Sequence, residues 1–160
     1  MPSDQKPTRV LFVCLGNICR SPLAEGVFLH LAAERGLSDS FHVASAGTGG
    51  WHAGEEPDPR SIAVARKNGV TLPSRARQVT ANDVGSWDCV VAMDGSNRSN
   101  LIGLGFDPAA VHLMRSFDAS SQDQDVPDPY YGGPDGFDDV YAMIHRACEG
   151  LLDHLVTSNT

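Results

Sequence analysis

Apolar residues along the chain alternate between two rhythms. Val10-Leu-Phe-Val13 is an unbroken apolar run, as in a strand buried on both faces. Beyond the loop that follows, Leu23, Val27, Phe28, Leu31 and Ala32 fall at helical spacing, with Ser21 placed as N-cap, Pro22 at the first helical position and Gly36 at the end. Phe41-His-Val-Ala-Ser45 predicts a second strand, and a helix from Asp58 or Pro59 through Ile62, Ala65 and Arg66 should stop near Gly69. Leu72 to Val79 reads as an arginine-rich loop or short extended piece, after which Thr80 or Asn82 can cap a helical turn. Asp88 to Met93 predicts the third strand, Ser96 to Leu104 the third helix and Val111 to Met114 the fourth strand. Residues 115–133 read as loop, long enough to suggest a functional one. A last helix from about Asp135 to Val156 carries Val140, Ile144, Ala147, Cys148, Leu151, Leu152 and Leu155 as its apolar stripe.

Strands alternating with helices imply an α/β fold with a parallel sheet covered on both faces, right-handed crossovers and ligand-binding loops at the carboxyl edge of the strands. The 160 residues suit a single domain, read as 9–157 behind a short disordered lead-in at 1–8. No apolar run approaches the roughly 20 residues of a membrane span, and the N-terminus has no apolar signal region, so a soluble, cytoplasmic protein is expected. A formal charge of -8 argues against a nucleic-acid or anionic-membrane surface. Cysteines at 14, 19, 89 and 148 lack the paired spacing of a zinc site and are expected to be thiols, with Cys89 and Cys148 as core packing.

The chemistry concentrates in the loop after the first strand. Gly16 and Asn17 permit a tight curl, and the backbone N–H groups from Leu15 to Arg20 can converge on an anion with a helix dipole behind them. Cys14 and Arg20 frame that anion from two sides. A thiolate at Cys14 would be stabilised by the dipole, the amides and the guanidinium, and the planar fork of Arg20 matches two oxygens of a phosphoryl group. A thiolate attacking a phosphate monoester needs a proton donor for the departing oxygen. Asp128 is the chosen carboxyl: Pro127 and Pro129 stiffen its loop, and Tyr130 and Tyr131 offer an apolar wall favouring its protonated form. The six histidines, among them His52, show no ligand spacing, and none lies near Cys14 in sequence. Asp118, Asp123, Asp125, Asp128, Asp135, Asp138 and Asp139 lack calcium-loop spacing and read as a solvated acidic rim. Arg60 and Arg66 read as solvated helix charges.

Cys14-Leu-Gly-Asn-Ile-Cys-Arg-Ser-Pro22 resembles the signature of the low-molecular-weight protein tyrosine phosphatases. Ser45-Ala-Gly-Thr48, Ala76-Arg-Gln-Val79, Met93-Asp94 and Asp128-Pro-Tyr-Tyr-Gly132 follow in that family's order. The resemblance implies a small doubly wound four-stranded parallel sheet with the phosphate-binding loop at its carboxyl edge. It implies hydrolysis of phosphotyrosine in proteins, or of other aryl phosphates, in two steps through a phosphocysteine, with no cofactor and no metal. By resemblance Cys14 is the nucleophile, Asp128 the general acid, and Tyr130 and Tyr131 the aromatic pocket lining, joined by Ile18 in the loop wall. Leu15, Gly16, Asn17, Ile18 and Cys19 form the loop, supported by Ser21 and Ser45. Ser74 stands where many relatives carry a histidine, which puts part of that support in question. Trp51 falls in the family's variable, pocket-lining loop, though a lone Trp after two glycines can equally cap the core. Relatives often carry a second cysteine at the Cys19 position, so Cys19 either traps oxidised Cys14 or packs as a small apolar residue.

Two other readings are set against this one. A thioredoxin-coupled arsenate reductase of the same fold needs further cysteines near residues 80 to 90, where this chain has Asn82 and a strand-embedded Cys89. A phosphate-binding module without turnover would not need the nucleophile, arginine and acid together. A P-loop NTPase is excluded because no Gly-Lys-Ser/Thr follows the loop.

Overall fold

The computed structural model describes residues 6–121, 124–129 and 136–158. Four strands, β1 (Thr8–Cys14), β2 (Phe41–Gly47), β3 (Cys89–Ala92) and β4 (Val111–Leu113), form one parallel sheet in the order β2-β1-β3-β4. Thr8 is the first residue of β1 and so belongs to the sheet, not to the lead-in. Helices α1 (Arg20–Glu34), α2 (Pro59–Lys67), α3 (Gly95–Leu104) and α4 (Gly136–Ser158) complete the architecture.

Alternate residues of the buried β1 point to opposite faces, and each face has its own core. Val10 and Phe12 meet Leu23, Val27 and Phe28 of α1 together with the Val140, Ile144 and Leu151 stripe of α4. Leu11 and Val13 meet Leu101 of α3, Phe106 and Val111. The chain thus leaves β1 for β2 on one side and returns to β3 on the other. That reversal opens a crevice at the carboxyl ends of β1 and β3.

Local signals explain the element ends. Gly36 at φ 71 closes α1, with Leu37 N–H bonded to Ala32 O at 2.7 Å. Asp58 caps α2 by accepting from Arg60 N at 2.8 Å, and Asp94 caps α3 by accepting from Asn97 N at 2.8 Å. Thr80 and Asp83 form a reciprocal capping box on a short 3-10 turn. Two expectations change. The residues from Met114 to Phe117, read as the end of a strand and the start of a loop, form a 3-10 turn. Ser21, read as the N-cap of α1, lies inside the helix; Cys19 holds the cap position with no side-chain cap bond.

Candidate active site

Cys14 ends β1 at the crevice and is 2% exposed. The loop after it is held by its carbonyls: Thr48 N donates to Cys14 O and Gly49 N to Leu15 O, each at 2.9 Å, and Asp58 N donates to Ile18 O at 2.8 Å. With those oxygens taken from outside, N–H groups are left for the inner side, and Asn17 N donates to Cys14 Sγ at 3.3 Å. The curl requires Asn17 to sit at φ 58, a left-handed conformation that asparagine tolerates. Gly47 makes the close approach of β2 possible, since a Cβ there would meet Leu15 O at 2.8 Å.

A hydroxyl-amide network underlies the loop. Ser21 Oγ lies 3.0 Å from Cys14 Sγ and accepts from Asn17 Nδ2 at 2.7 Å; the same amide nitrogen donates to Ser45 Oγ at 3.0 Å. This explains why Ser21 caps nothing: its hydroxyl turns to the sulfur seven positions back. Ser45 Oγ donates to Glu25 Oε1 and Ser74 Oγ to Glu25 Oε2, both at 2.6 Å. Ser74, the departure from the family pattern, therefore stays in the network as a hydroxyl donor. Glu25, unnoticed in the sequence, is 2% exposed. Burial raises its carboxyl above the usual range, against the lowering effect of the two hydroxyls and the charge of Arg77.

Arg20, in the first turn of α1, is 2% exposed, and its guanidinium is held mainly through one terminal nitrogen. Its Nη1 donates to Asp94 Oδ2 at 2.6 Å and to Val126 O at 2.9 Å, while Nη2 stands 3.6 Å from Asp128 Oδ2. Burial works against the guanidinium's charge, but the charge of Cys14, the bond and charge of Asp94 and the charge of Asp128 outweigh it and raise its pKa. Asp94 was visible in the sequence only as part of a family motif; its position directly after a buried strand at the carboxyl edge is the signal for such a partner.

Cys14, Arg20 and Asp128 line one pocket of about 250 Å³ together with Leu15, Gly16, Ile18, Cys19, Trp51 and His52. Trp51 is 70% exposed, so it does not cap the core. His52, distant from the loop in sequence, stands beside it in the fold: its ring lies 3.0 Å from where a Gly16 Cβ would stand, and its Nδ1 meets the Glu55 carboxylate at 3.1 Å. A loop residue far from Cys14 in sequence carries no periodicity that would reveal this approach. Tyr130 and Tyr131 lie outside the described residues, as do Asp123 and Asp135 of the acidic rim. Three of the other rim aspartates have individual partners: Asp118 holds Ser120 and Arg146, Asp125 accepts from Gly95 N, and Asp138 pairs with Lys67. Arg60 likewise pairs with Asp58 and lies over the Phe137 ring.

The four cysteines are free thiols. Burial, with the charges of Asp58, Cys14 and Asp128, pushes the Cys19 thiol up to about 12. Burial pushes Cys89 up to about 12 with help from Asp88, and Cys148 upward with help from Glu149. Cys89 sits inside β3 and Cys148 inside α4, both in the core.

A parallel sheet with a cysteine-to-arginine loop at its switch point defines an anion-binding α/β protein. Residues 9–159 match the family model for the low molecular weight phosphotyrosine protein phosphatase. A "low molecular weight protein-tyrosine-phosphatase" of Streptomyces coelicolor is 47% identical over 149 residues, 90% of this chain and 91% of that protein. A pig protein described as a low molecular weight phosphotyrosine protein phosphatase is 37% identical, covering 94% of this chain and 98% of its own. Among solved structures, YfkJ from Bacillus subtilis superposes with a TM-score of 0.93 at 37% identity, over 98% of this chain and 99% of that one. A Drosophila protein described as an arginine phosphatase gives 0.84 at 34% identity, over 91% and 96%. The chain belongs to the low molecular weight protein tyrosine phosphatase family. Among the described residues, no helix is long and apolar enough to cross a membrane.

Proposed function

We propose that this phosphatase hydrolyses phosphotyrosine in proteins, and other aryl phosphates, through a phosphocysteine at Cys14. The observation that carries the reading is the convergence of Cys14, Arg20 and Asp128 on one pocket. In the first step the Cys14 thiolate forms an S–P bond as the P–O bond to the aryl group breaks, and Asp128 gives its proton to the departing oxygen. In the second, Asp128 as carboxylate takes a proton from water while the water oxygen attacks phosphorus; the S–P bond breaks and returns the thiolate. Arg20 and the loop amides stabilise the equatorial oxygens in both steps, the work that a magnesium ion does in other phosphoryl transfers. Asn17, Ser21 and Ser45 hold the loop in its curled form. The test is steady-state hydrolysis of a phosphotyrosine peptide, with and without EDTA, by wild type and Cys14→Ser. Wild-type turnover insensitive to EDTA and lost in the variant is expected; comparable turnover by the variant overturns the assignment.

Selectivity for a flat aryl ring is supported by the apolar side chains of Ile18, Leu15 and Trp51 around the mouth. The Drosophila relative shares the fold and is described as an arginine phosphatase, so selection between substrates rests on the pocket wall, not on the fold. The arsenate-reductase reading is disfavoured by the burial of Cys89 in β3. Cys19 lines the same pocket as Cys14, which supports its action as a trap for an oxidised nucleophile. Peroxide inactivation should then be reversed by dithiothreitol in wild type but poorly in Cys19→Ser, and equal recovery would leave Cys19 with packing alone. A catalytic thiol suits a reducing compartment, which supports a cytoplasmic location. The continuous sheet and its two cores support one catalytic domain that begins with Thr8 and extends to about residue 157.

A further inference from the structure

Glu25 is the unexplained residue of the site: a carboxyl 2% exposed, with no guanidinium or ammonium hydrogen-bonded to it among the described residues, at the far end of the network from Cys14. Burying an ionisable group in this way is costly, and the proposed catalytic steps do not use it. Its value lies in the direction of the hydrogen bonds, which can be assigned one by one.

Arg77 N–H can only donate, so the Asn17 atom 2.9 Å from it is the amide oxygen. The Asn17 amide is thereby oriented, and its NH2 faces both Ser45 and Ser21. Ser45 Oγ receives one of those hydrogens, so its own single hydrogen must go elsewhere, and Glu25 Oε1 at 2.6 Å is the acceptor. Ser21 Oγ receives the other. Its hydrogen then chooses between Cys14 Sγ at 3.0 Å and Ala46 O at 3.5 Å, and the sulfur is the nearer. Ser21 and Glu25 stand four residues apart on α1, so one face of the helix presents both ends of the network.

We propose that Glu25 is a positioning residue: as terminal acceptor it takes the Ser45 hydrogen, which keeps the Asn17 amide donating to Ser21 and the Ser21 hydroxyl donating to the Cys14 sulfur. The proposal rests on the reading of Cys14 as the reactive thiolate. Without an acceptor at position 25, Asn17 is the side chain left bonded to Ser45, and the Ser45 hydrogen turns to it. Turning the amide to receive it places Oδ1 before Ser21, draws the Ser21 hydrogen off the sulfur and forfeits the bond from Arg77. A thiolate that loses a donor forms at higher pH.

The contrast of Glu25→Gln with Glu25→Leu separates this role from charge alone. Glutamine keeps an oxygen for Ser45 and can point its NH2 at Ser74; leucine keeps the bulk and offers no acceptor. The measurement is the pH midpoint of Cys14 alkylation by iodoacetamide, located by peptide mass, with circular dichroism to confirm that each variant is folded. Glu25→Gln should leave the midpoint near that of wild type, and Glu25→Leu should raise it by about one pH unit. If Glu25 acts only as a nearby negative charge, both variants lower the midpoint. That result overturns the proposal, as does an unchanged midpoint in folded Glu25→Leu or an equal rise in both. Should Glu25→Leu fail to fold, a lowered or raised midpoint in Glu25→Gln still overturns it and an unchanged one supports it. Absence of pH-dependent alkylation at Cys14 in wild type would overturn the thiolate reading itself, and the proposal with it.

Discussion

Arg20 Nη1 lies 2.6 Å from Asp94 Oδ2, joining the helix that follows β1 to the cap residue that follows β3. The bond aims a buried cation across the crevice where the chain reverses direction. Asp94 also accepts from Asn97 N, so it has two tasks. Asp94→Asn separates them, because asparagine caps a helix as well as aspartate but gives Arg20 no counter-charge. The variant should keep α3 intact, lose about 3 kcal/mol of stability from the broken buried pair, and lose roughly tenfold or more in kcat/KM for an aryl phosphate as Arg20 loses its aim. Denaturant titration and steady-state kinetics measure the two effects. Full activity would show that Val126 O and Asp128 suffice to hold the guanidinium.

Asp128 as proton donor has a distinct signature. Asp128→Asn should slow phosphoryl transfer by about 10²-fold or more for esters with poor leaving groups, and far less for activated aryl esters whose oxygen leaves without a proton. A series of phenyl phosphates of graded leaving-group acidity reads this directly. An equal loss across the series would remove Asp128 from the first step.

The mouth of the pocket sets the third expectation. Trp51 is largely exposed, so Trp51→Ala should leave stability within about 0.5 kcal/mol while raising KM for phosphotyrosine peptides several-fold with a smaller change in kcat. The apolar Ile18 should leave a phosphorylated guanidinium with unsatisfied donors. Phosphoarginine peptides are therefore expected to be poorer substrates than phosphotyrosine peptides, and comparable kcat/KM values for the two would refute this account of the wall.

Two carboxyls should give stability opposite pH signatures. Asp118 lies below the usual carboxylate range through its Ser120 bond, against burial and with help from Arg146. Its contribution is present above the unfolded value near 4 and fades as pH falls through the lower folded one. Asp118→Asn should thus destabilise the protein at pH 7 and much less at pH 2. Glu25 is raised by burial, so its contribution is present below the unfolded value and fades as pH rises through the folded one. Glu25→Gln should accordingly stabilise at pH 7 more than at pH 3. Chemical denaturation at the three pH values measures both, and a stability gain independent of pH would contradict the assignment for Glu25.

The order of strands and helices was legible because β1 is an unbroken apolar run and α4 carries an apolar stripe of unambiguous helical period. Cys14, Arg20 and Asp128 were legible because each combines a reactive group with local punctuation, glycine and asparagine in the loop and proline around Asp128. Ser21 was misread for a physical reason. A hydroxyl beside a helix start can cap it or reach another acceptor, and only the fold brings the Cys14 sulfur to 3.0 Å. Glu25 escaped notice because a helical glutamate is ordinarily solvated, and nothing local shows that Ser45 and Ser74 converge on it. His52 and Asp94 join the site through loops and strands distant in sequence, a relationship that hydrophobic periodicity does not encode.

Phosphorus is expected to pass through the sulfur of Cys14. Acid quenching during turnover of an aryl phosphate, followed by peptide mass analysis, tests it directly. A phosphoryl adduct on the peptide bearing Cys14, formed as fast as the aryl alcohol is first released and absent in Cys14→Ser, is the expected result. Release of the alcohol with no adduct at Cys14 under any quench time, or an adduct on another residue, would contradict it.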